Sequence, residues 1–441
     1  MKISQFIIST KAKTEENLHL LYNTATTAFV SLDNKNYDDI FVQHNFTTNP
    51  LVKNLYQMGF LIDDEIDELA RMQYIRTQSA HDSTTNITIL PTTCCNARCA
   101  YCFEEGIHYY NMSKKTADAV VKYIVKNFPN RKLGIGWFGG EPLLKTDIIE
   151  YIIEKLKLYQ FETYSHVTTN GSLISSKFLD YAKNNNFKSF QVTIDSVDDE
   201  YGEIKNYVDI PVKDAFSRTI SGVKQLLQYG FRTLIRINFA ASKIEKAIFT
   251  FDKLNEVLSP YIKNNNLYIY LAPLQLHDPK ENICALDYNG IHPFMLATRH
   301  QFEQGHPFNG YKDSLNSRDK TLIGLNLYPT GYGCGMLLKD RVVIDADGSF
   351  YKCHRLVGKK QYMCGNVFDG LQYNDVYNYY IDMTIHDEEC MQCNLLPICQ
   401  GGCKTNAFLY GREQRCIRIK QVREELVQYY YELIKTKSLV N

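Results

Sequence analysis

The sequence has no surplus of either charge: 49 lysines and arginines face 49 aspartates and glutamates over 441 residues. A whole-chain potential that would draw the protein to nucleic acid or to an acidic membrane is therefore not expected. No run of about 18 apolar residues occurs, so no membrane-spanning helix is expected either. The opening stretch MKISQFIISTKAKTEENL returns to charged residues before an apolar core of signal-peptide length has formed. The expectation is a cytoplasmic protein with no nucleic-acid and no membrane partner.

What the chain does have is cysteine, thirteen in all. In a reducing compartment these do not read as a disulfide framework, and their default use is metal binding. The sharpest signal is the string CNARCAYCFEEG, in which Cys95, Cys99 and Cys102 follow the apolar run Ile87 to Leu90. Three closely spaced thiolates suit an iron-sulfur cubane and leave one iron free for another ligand. Structural zinc prefers four protein ligands, usually from paired C-x2-C knuckles, and the spacing C-x3-C-x2-C fits that poorly. Cys94 offers a second register, C-x4-C-x2-C, which leaves it either a ligand or a spectator.

A hydrophobic fraction of 44% over this length points to two or three packed domains. Residues 1–85 read as a small mixed module in β-β-α-α-β order, compatible with a winged helix, its second helix closing at Gly59. Residues 86–275 alternate short apolar strands with amphipathic helices, the pattern of βα units on a parallel sheet. The strands expected are Ile87 to Leu90, Leu133 to Phe138, His166 to Thr169, Phe190 to Ile194, Thr233 to Asn238 and Leu267 to Leu271. One intervening helix is capped by Ser113 and faced by Val120, Val121 and Ile124; another starts after Asp214 and closes at Gly230. Residues 276–333 form a less regular connector with one helix near Phe294 to Phe302 and an isolated Cys284.

Parallel α/β sheets bind ligands at the carboxyl ends of their strands, so polar residues there are candidates for function. The second strand ends in Gly139, Gly140, Glu141 and Pro142, where two glycines permit close backbone approach and a carboxylate can accept from an ammonium group. Asn170 ends the third strand, Thr193 and Asp195 the fourth, and Arg236 lies on the fifth. Each could instead cap the turn that follows it.

Residues 334–441 hold the densest cysteines. Cys334-x13-Gly348-x4-Cys353 precedes Cys390-x2-Cys393-x5-Cys399-x3-Cys403-x12-Cys416, and RVVIDADGSFYKC reads as a hairpin turning at Asp347-Gly348. On ligand chemistry alone, zinc remains a rival for the C-x2-C pair. His354 follows Cys353 and could serve as a general base, a sulfur partner or a packed side chain.

The triad, with Tyr101 before its last cysteine and Phe103 after it, resembles the signature of the radical S-adenosylmethionine (SAM) enzymes. That resemblance implies a partial (β/α)6 TIM-like barrel and a 4Fe-4S cluster on Cys95, Cys99 and Cys102 whose open iron chelates SAM. It also implies contacts to SAM from Tyr101, Gly139, Gly140, Glu141, Asn170, Thr193, Asp195 and Arg236. Many relatives follow the fourth strand with a His-Asp pair and an arginine; here Tyr201, Gly202 and Lys205 stand instead. Seven of the C-terminal cysteines, Cys334, Cys353, Cys390, Cys393, Cys399, Cys403 and Cys416, form an array that resembles the SPASM domain. By that likeness Cys390, Cys393, Cys399 and Cys416 hold an outer 4Fe-4S cluster, and Cys334, Cys353 and Cys403 supply three ligands of an inner one. An open iron, or completion by Cys364, are both compatible with this.

The expected protein is thus an α/β radical SAM oxidoreductase with three 4Fe-4S clusters, served by an external reductant such as flavodoxin or ferredoxin. Its first expected function is maturation of a ribosomally made precursor peptide by a thioether or C-C crosslink, the N-terminal module binding the leader. Oxidation of serine or cysteine to formylglycine in a sulfatase is the alternative enzyme reading. A non-catalytic electron carrier or zinc scaffold is the third.

Overall fold

The computed structural model describes residues 1–81, 86–104, 106, 109–274, 293–304, 317–416 and 419–438. Cys284 lies outside the described residues. By contact density the chain divides into two compact units. One comprises Met1–Ser83, Gly290–Cys334 and Met383–Asn441, the other Thr84–Asn289 and Gly335–Asp382.

In the first unit, β1 (Lys2–Ile3) pairs antiparallel with β5 (Leu61–Ile62), while β2 (Ile7–Lys11), β3 (Leu18–Asn23) and β4 (Phe29–Asp33) form an antiparallel sheet in that order. The returning strand expected after the second helix is present, and its partner is β1 rather than the three-stranded sheet. Helix Val52–Gln57 precedes Gly59, whose positive φ of 82° turns the chain into β5. The C-terminal helix Ile419–Ser438 packs against β2 and β3. Ile8, Leu20 and Tyr22 meet Val422, Leu426 and Val427 in one buried cluster. The Tyr22 hydroxyl, which that core must satisfy, donates to the Leu327 carbonyl at 2.7 Å.

The second unit is built on β6 (Asn86–Ile89), β7 (Lys132–Trp137), β8 (Glu162–Thr169), β9 (Phe187–Thr193), β10 (Arg232–Phe239) and β11 (Leu267–Pro273). These six run parallel in sequence order, as the alternation of strands and helices requires. The expected hairpin, β12 (Val343–Ile344) with β13 (Phe350–Tyr351), adds to the same sheet through β12 beside β6. A short hairpin, β14 (Gly365–Asn366) with β15 (Gly370–Leu371), forms its own two-stranded sheet and is bridged to the start of β13 through Ser349 and Asn366.

Helix periodicity supplies the covering layer. Ser113 accepts from the Thr116 amide at 3.1 Å and starts helix Lys114–Asn127, whose Val120, Val121 and Ile124 are buried. Helix Thr146–Leu158 buries Ile148, Ile149, Ile152, Ile153 and Leu156. Each such side chain is worth about 1.5–3 kcal/mol relative to exposure. Helix Val212–Gln228 begins at Val212, just before the Asp214 start expected, because Pro211 with φ −57° already sets the chain for entry. Inside the sheet, Trp137 is fully buried and its indole donates to Ser165 at 3.0 Å. No helix among the described residues is long and apolar enough to cross a membrane.

Candidate functional site

The cysteine string leaves the carboxyl end of β6 as a loop. Ala97 donates its amide to the Cys95 sulfur at 3.3 Å, Cys102 donates to the Cys99 carbonyl at 2.9 Å, and the Cys99 thiol reaches the Lys205 carbonyl at 3.8 Å. Burial, with smaller contributions from neighbouring thiols, pushes the Cys95 thiol up to about 12 and the Cys102 thiol up to about 11. Such thiols keep their protons in water and lose them to a metal, which is the behaviour of a soft ligand set held out of solvent. The donor set therefore fits an iron-sulfur cluster. Among the described residues no three His, Cys, Asp or Glu side chains converge on a single-ion site. Cys94 contributes its main chain: its carbonyl accepts from the Glu141 amide at 2.8 Å.

Gly139 and Gly140 were expected to admit a ligand. They admit the cysteine loop. A Cβ on Gly139, at φ 124°, would stand 2.2 Å from the Thr92 carbonyl oxygen, and one on Gly140 would stand 2.3 Å from that of Cys94. Glu141 is fully buried, and burial pushes its carboxyl up to about 7. One oxygen accepts from the Leu143 amide (3.0 Å) and the Thr169 hydroxyl (2.8 Å), the other from the Asn170 amide (2.7 Å). The residue thus ties the end of β7 to the end of β8. Asn170 in turn donates its side-chain amide to Asn96 at 2.9 Å. Asn96, which donates to Ser172 at 3.1 Å, was not singled out from the sequence. Its only signal there was a side-chain amide inside the triad string.

The strand-end residues of β9 and β10 also meet. Asp195 accepts from the Asn238 amide at 2.9 Å through one oxygen and pairs with Lys205 at 2.9 Å through the other, which also accepts from the Tyr101 hydroxyl. Lys205 donates to Tyr101 at 2.9 Å. Its own side chain is 3% exposed and that of Asp195 2%. Burial alone would push the ammonium down; Asp195, Tyr101 and Cys99 outweigh it and hold the pKa well above that of an exposed lysine. Thr193 and Arg236 are register partners in the sheet, and Arg236 donates to Asn238 at 2.8 Å.

His354 lies beside the rings of Phe103 and Phe138, with centroids at 5.6 and 5.2 Å. Burial, helped by Arg355 and Arg236, pushes its imidazole down to about 4. It is neutral near pH 7 and a weaker base than a free histidine. Two carboxyls that sequence reasoning passed over lie closer to neutrality. Burial and Asp345 push Glu104 up to about 8, and burial and Asp347 push Asp345 up to about 7. Glu104 is 9% exposed and one of its oxygens has no hydrogen-bond partner.

In the first unit, Cys390, Cys393, Cys399 and Cys416 line one pocket together with Arg415 and Lys420. Asp387 caps the turn, accepting from the Cys390 amide at 3.1 Å, and forms ion pairs with Arg412 and Arg415. Lys420 reaches the Cys416 sulfur at 3.8 Å. Cys334, exposed, and Cys403, whose sulfur accepts from the Asn406 amide at 3.4 Å, belong to this unit. Cys353 and Cys364, both buried, belong to the other.

A parallel barrel sheet with a thiolate triad at the end of its first strand, held by polar residues at the ends of the next four, defines a cofactor-dependent domain. Residues 89–239 match the Radical SAM superfamily, and they form a radical SAM domain. That superfamily consists of enzymes that bind SAM and a 4Fe-4S cluster. The chain is similar to the cysteine-type anaerobic sulfatase-maturating enzyme of Clostridium novyi (strain NT), 24% identical over 71% of this chain and 85% of that one. It is similar to the radical SAM cyclopropyl synthase TigE of Paramaledivibacter caminithermalis, 23% identical over 89% of this chain and 85% of that one. Among solved structures, Streptococcus suis SuiB bound to its precursor peptide SuiA superposes with a TM-score of 0.51. That alignment covers 95% of this chain and 99% of SuiB at 17% identity, a likeness of fold.

Proposed function

We propose that the chain is a radical SAM maturase that crosslinks a ribosomally made precursor peptide through a thioether or C-C bond. The observation that carries this reading is the N-terminal module and its integration into the cysteine-rich unit. Gln5 donates to the Met391 carbonyl at 3.1 Å, Thr24 to the Asn394 carbonyl at 2.5 Å, and Asn394 back to the Ile7 carbonyl at 3.0 Å. These bonds tie the module to the turn that carries Cys390 and Cys393, which supports a role for it in turnover. It also presents a groove of ≈ 810 Å³ beside strand β4, lined by Phe29, Met58, Leu61 and Ile66 with Arg71 and Arg318. Strand β4 has no partner on its outer edge among the described residues. An extended leader could add to that edge, place apolar side chains in the groove and meet the arginines with acidic ones. The likeness to SuiB, which binds a precursor peptide, supports the same reading.

When bound, SAM and its cluster supply a deoxyadenosyl radical that takes hydrogen from an unactivated carbon. The chain's residues then have separable tasks. Cys95, Cys99 and Cys102 would hold the cluster, while Tyr101, Asn170, Thr193, Asp195 and Arg236 would line or brace the strand ends beside it. Gly139, Gly140 and Glu141 keep the cysteine loop seated. By the resemblance to the SPASM domain, Cys390, Cys393, Cys399 and Cys416 would hold an outer auxiliary cluster, and Cys334, Cys353 and Cys403 would supply three ligands of an inner one. Forming a crosslink removes two hydrogens, so a second electron must leave the substrate, and auxiliary clusters give it a destination.

The test is anaerobic incubation of reconstituted enzyme with SAM, a flavodoxin or chemical reductant, and peptides encoded beside its gene. Loss of two hydrogens per crosslink, read by mass, is the expected outcome. Oxidation of a sulfatase cysteine or serine motif, with no change in any such peptide, would move the assignment to the sulfatase-maturating alternative.

A further inference from the structure

Lys205 is a fully buried cation that the reaction as described does not use. It ends helix Asp198–Lys205, and this one residue touches the cysteine loop with both its main chain and its side chain. Its carbonyl accepts from the Arg98 amide at 2.9 Å and from the Cys99 thiol at 3.8 Å. Its ammonium donates to the Tyr101 hydroxyl, in the residue before Cys102, at 2.9 Å, and pairs with Asp195 at 2.9 Å. An isolated ammonium at 3% exposure would be costly to keep, and Asp195 is its charged partner. The ion pair is asymmetric with respect to the loop. Lys205 contacts it at three residues, whereas Asp195 contacts it at Tyr101 alone and turns its second oxygen to the Asn238 amide on β10.

We propose that Lys205 is a positioning residue that pins the cysteine loop to the strand ends and, by its charge, makes the cluster held by that loop easier to reduce. The inference rests on the reading that Cys95, Cys99 and Cys102 hold a 4Fe-4S cluster. Reduction places one further electron on that cluster. A fixed cation in a medium of low dielectric favours the form with the added negative charge, and a fixed anion opposes it. Lys205 and Asp195 should therefore move the potential in opposite directions, which loosening of the loop would not do.

The experiment is an EPR-monitored redox titration of the reconstituted full chain, following the signal that changes when SAM is added. The wild type is compared with Lys205→Met and Asp195→Asn at matched iron content. For Lys205→Met the reduction equilibrium should become roughly tenfold less favourable, about 59 mV lower for a one-electron couple. For Asp195→Asn the shift should be upward. Shifts of the same sign, or none, with iron retained would overturn the role of Lys205 and leave the cluster assignment standing. If Lys205→Met fails to load iron, Lys205→Gln takes its place: a downward shift, opposite to that of Asp195→Asn, supports the proposal, and no shift, an upward one or a second failure to load iron defeats it. A wild type lacking any SAM-responsive signal would defeat the cluster reading itself, and this inference with it.

Discussion

The two cysteine-rich sites differ in how they handle charge. At the triad the protein removes solvent and answers charge from inside, with Lys205 at 3% exposure bonded to Asp195 and Tyr101. At the four-cysteine pocket the cations vary in depth: Arg415, beside Cys390, is 11% exposed, Arg412 is 64% exposed, and Lys420 reaches the sulfur of the exposed Cys416. Burial makes an electrostatic effect strong and independent of salt, whereas exposure makes it weak and screened. Under the proposed function, the site that starts radical chemistry would gain from the first arrangement, because water and stray ions are kept out. A site proposed to pass electrons on could tolerate the second.

The sharpest way to break this comparison is to remove one ligand from each site. Cys95→Ala should lower iron by one cluster and bring reductive SAM cleavage down to the level without enzyme. Cys416→Ala should leave SAM cleavage near wild type while product formation falls to background. Product formed at the wild-type rate by Cys416→Ala would mean that the outer site takes no part in turnover.

A second contrast concerns the metal-free protein. With burial raising the Cys102 thiol to about 11, its thiolate fraction at pH 8 is about one in a thousand, and alkylation needs the thiolate. The exposed Cys334 and Cys416 should therefore be alkylated well before Cys95 and Cys102, as read by peptide mass. The sign follows from the direction of the shift: raising the pH toward 11 deprotonates the buried thiols and narrows the gap. Equal rates at pH 8 would show that the triad loop is open to solvent.

Much of the barrel was legible in advance, because strand and helix periodicities are local. Val120, Val121 and Ile124 announce a helix face within one turn and a half, and the six apolar runs fall on β6 to β11. Cys390, Cys393, Cys399 and Cys416, which the SPASM resemblance groups together, line one pocket. What could not be read is convergence over distance. Tyr101 and Asp195 are 94 positions apart, and nothing in either local string says that Lys205 will fall between them. The same holds for Glu104 and Asp345, whose carboxyls matter only because the fold buries both. Glycines carried a related ambiguity. Gly139 and Gly140 signal close approach of something, but whether a ligand or the cysteine loop arrives there is decided by tertiary packing.

The smallest expected effect sharpens the comparison of charges. Arg412 and Lys205 each pair with an aspartate, so a simple count of ion pairs would rank them alike. Arg412→Ala removes an exposed partner of Asp387, which keeps Arg415 and the Cys390 amide, and surface pairs are worth about 0–1 kcal/mol. Asp195→Ala strips a buried ammonium of its carboxylate, a change that costs about 3–5 kcal/mol. Chemical denaturation of the two variants, at low and at high salt, should show a small loss for Arg412→Ala that fades with salt. The loss for Asp195→Ala should be several-fold larger and persist. If Arg412→Ala destabilised the protein as much as Asp195→Ala, and did so at high salt, the rim of the four-cysteine pocket would have to be shielded from solvent like the triad, and the division of labour drawn from their exposure would fall.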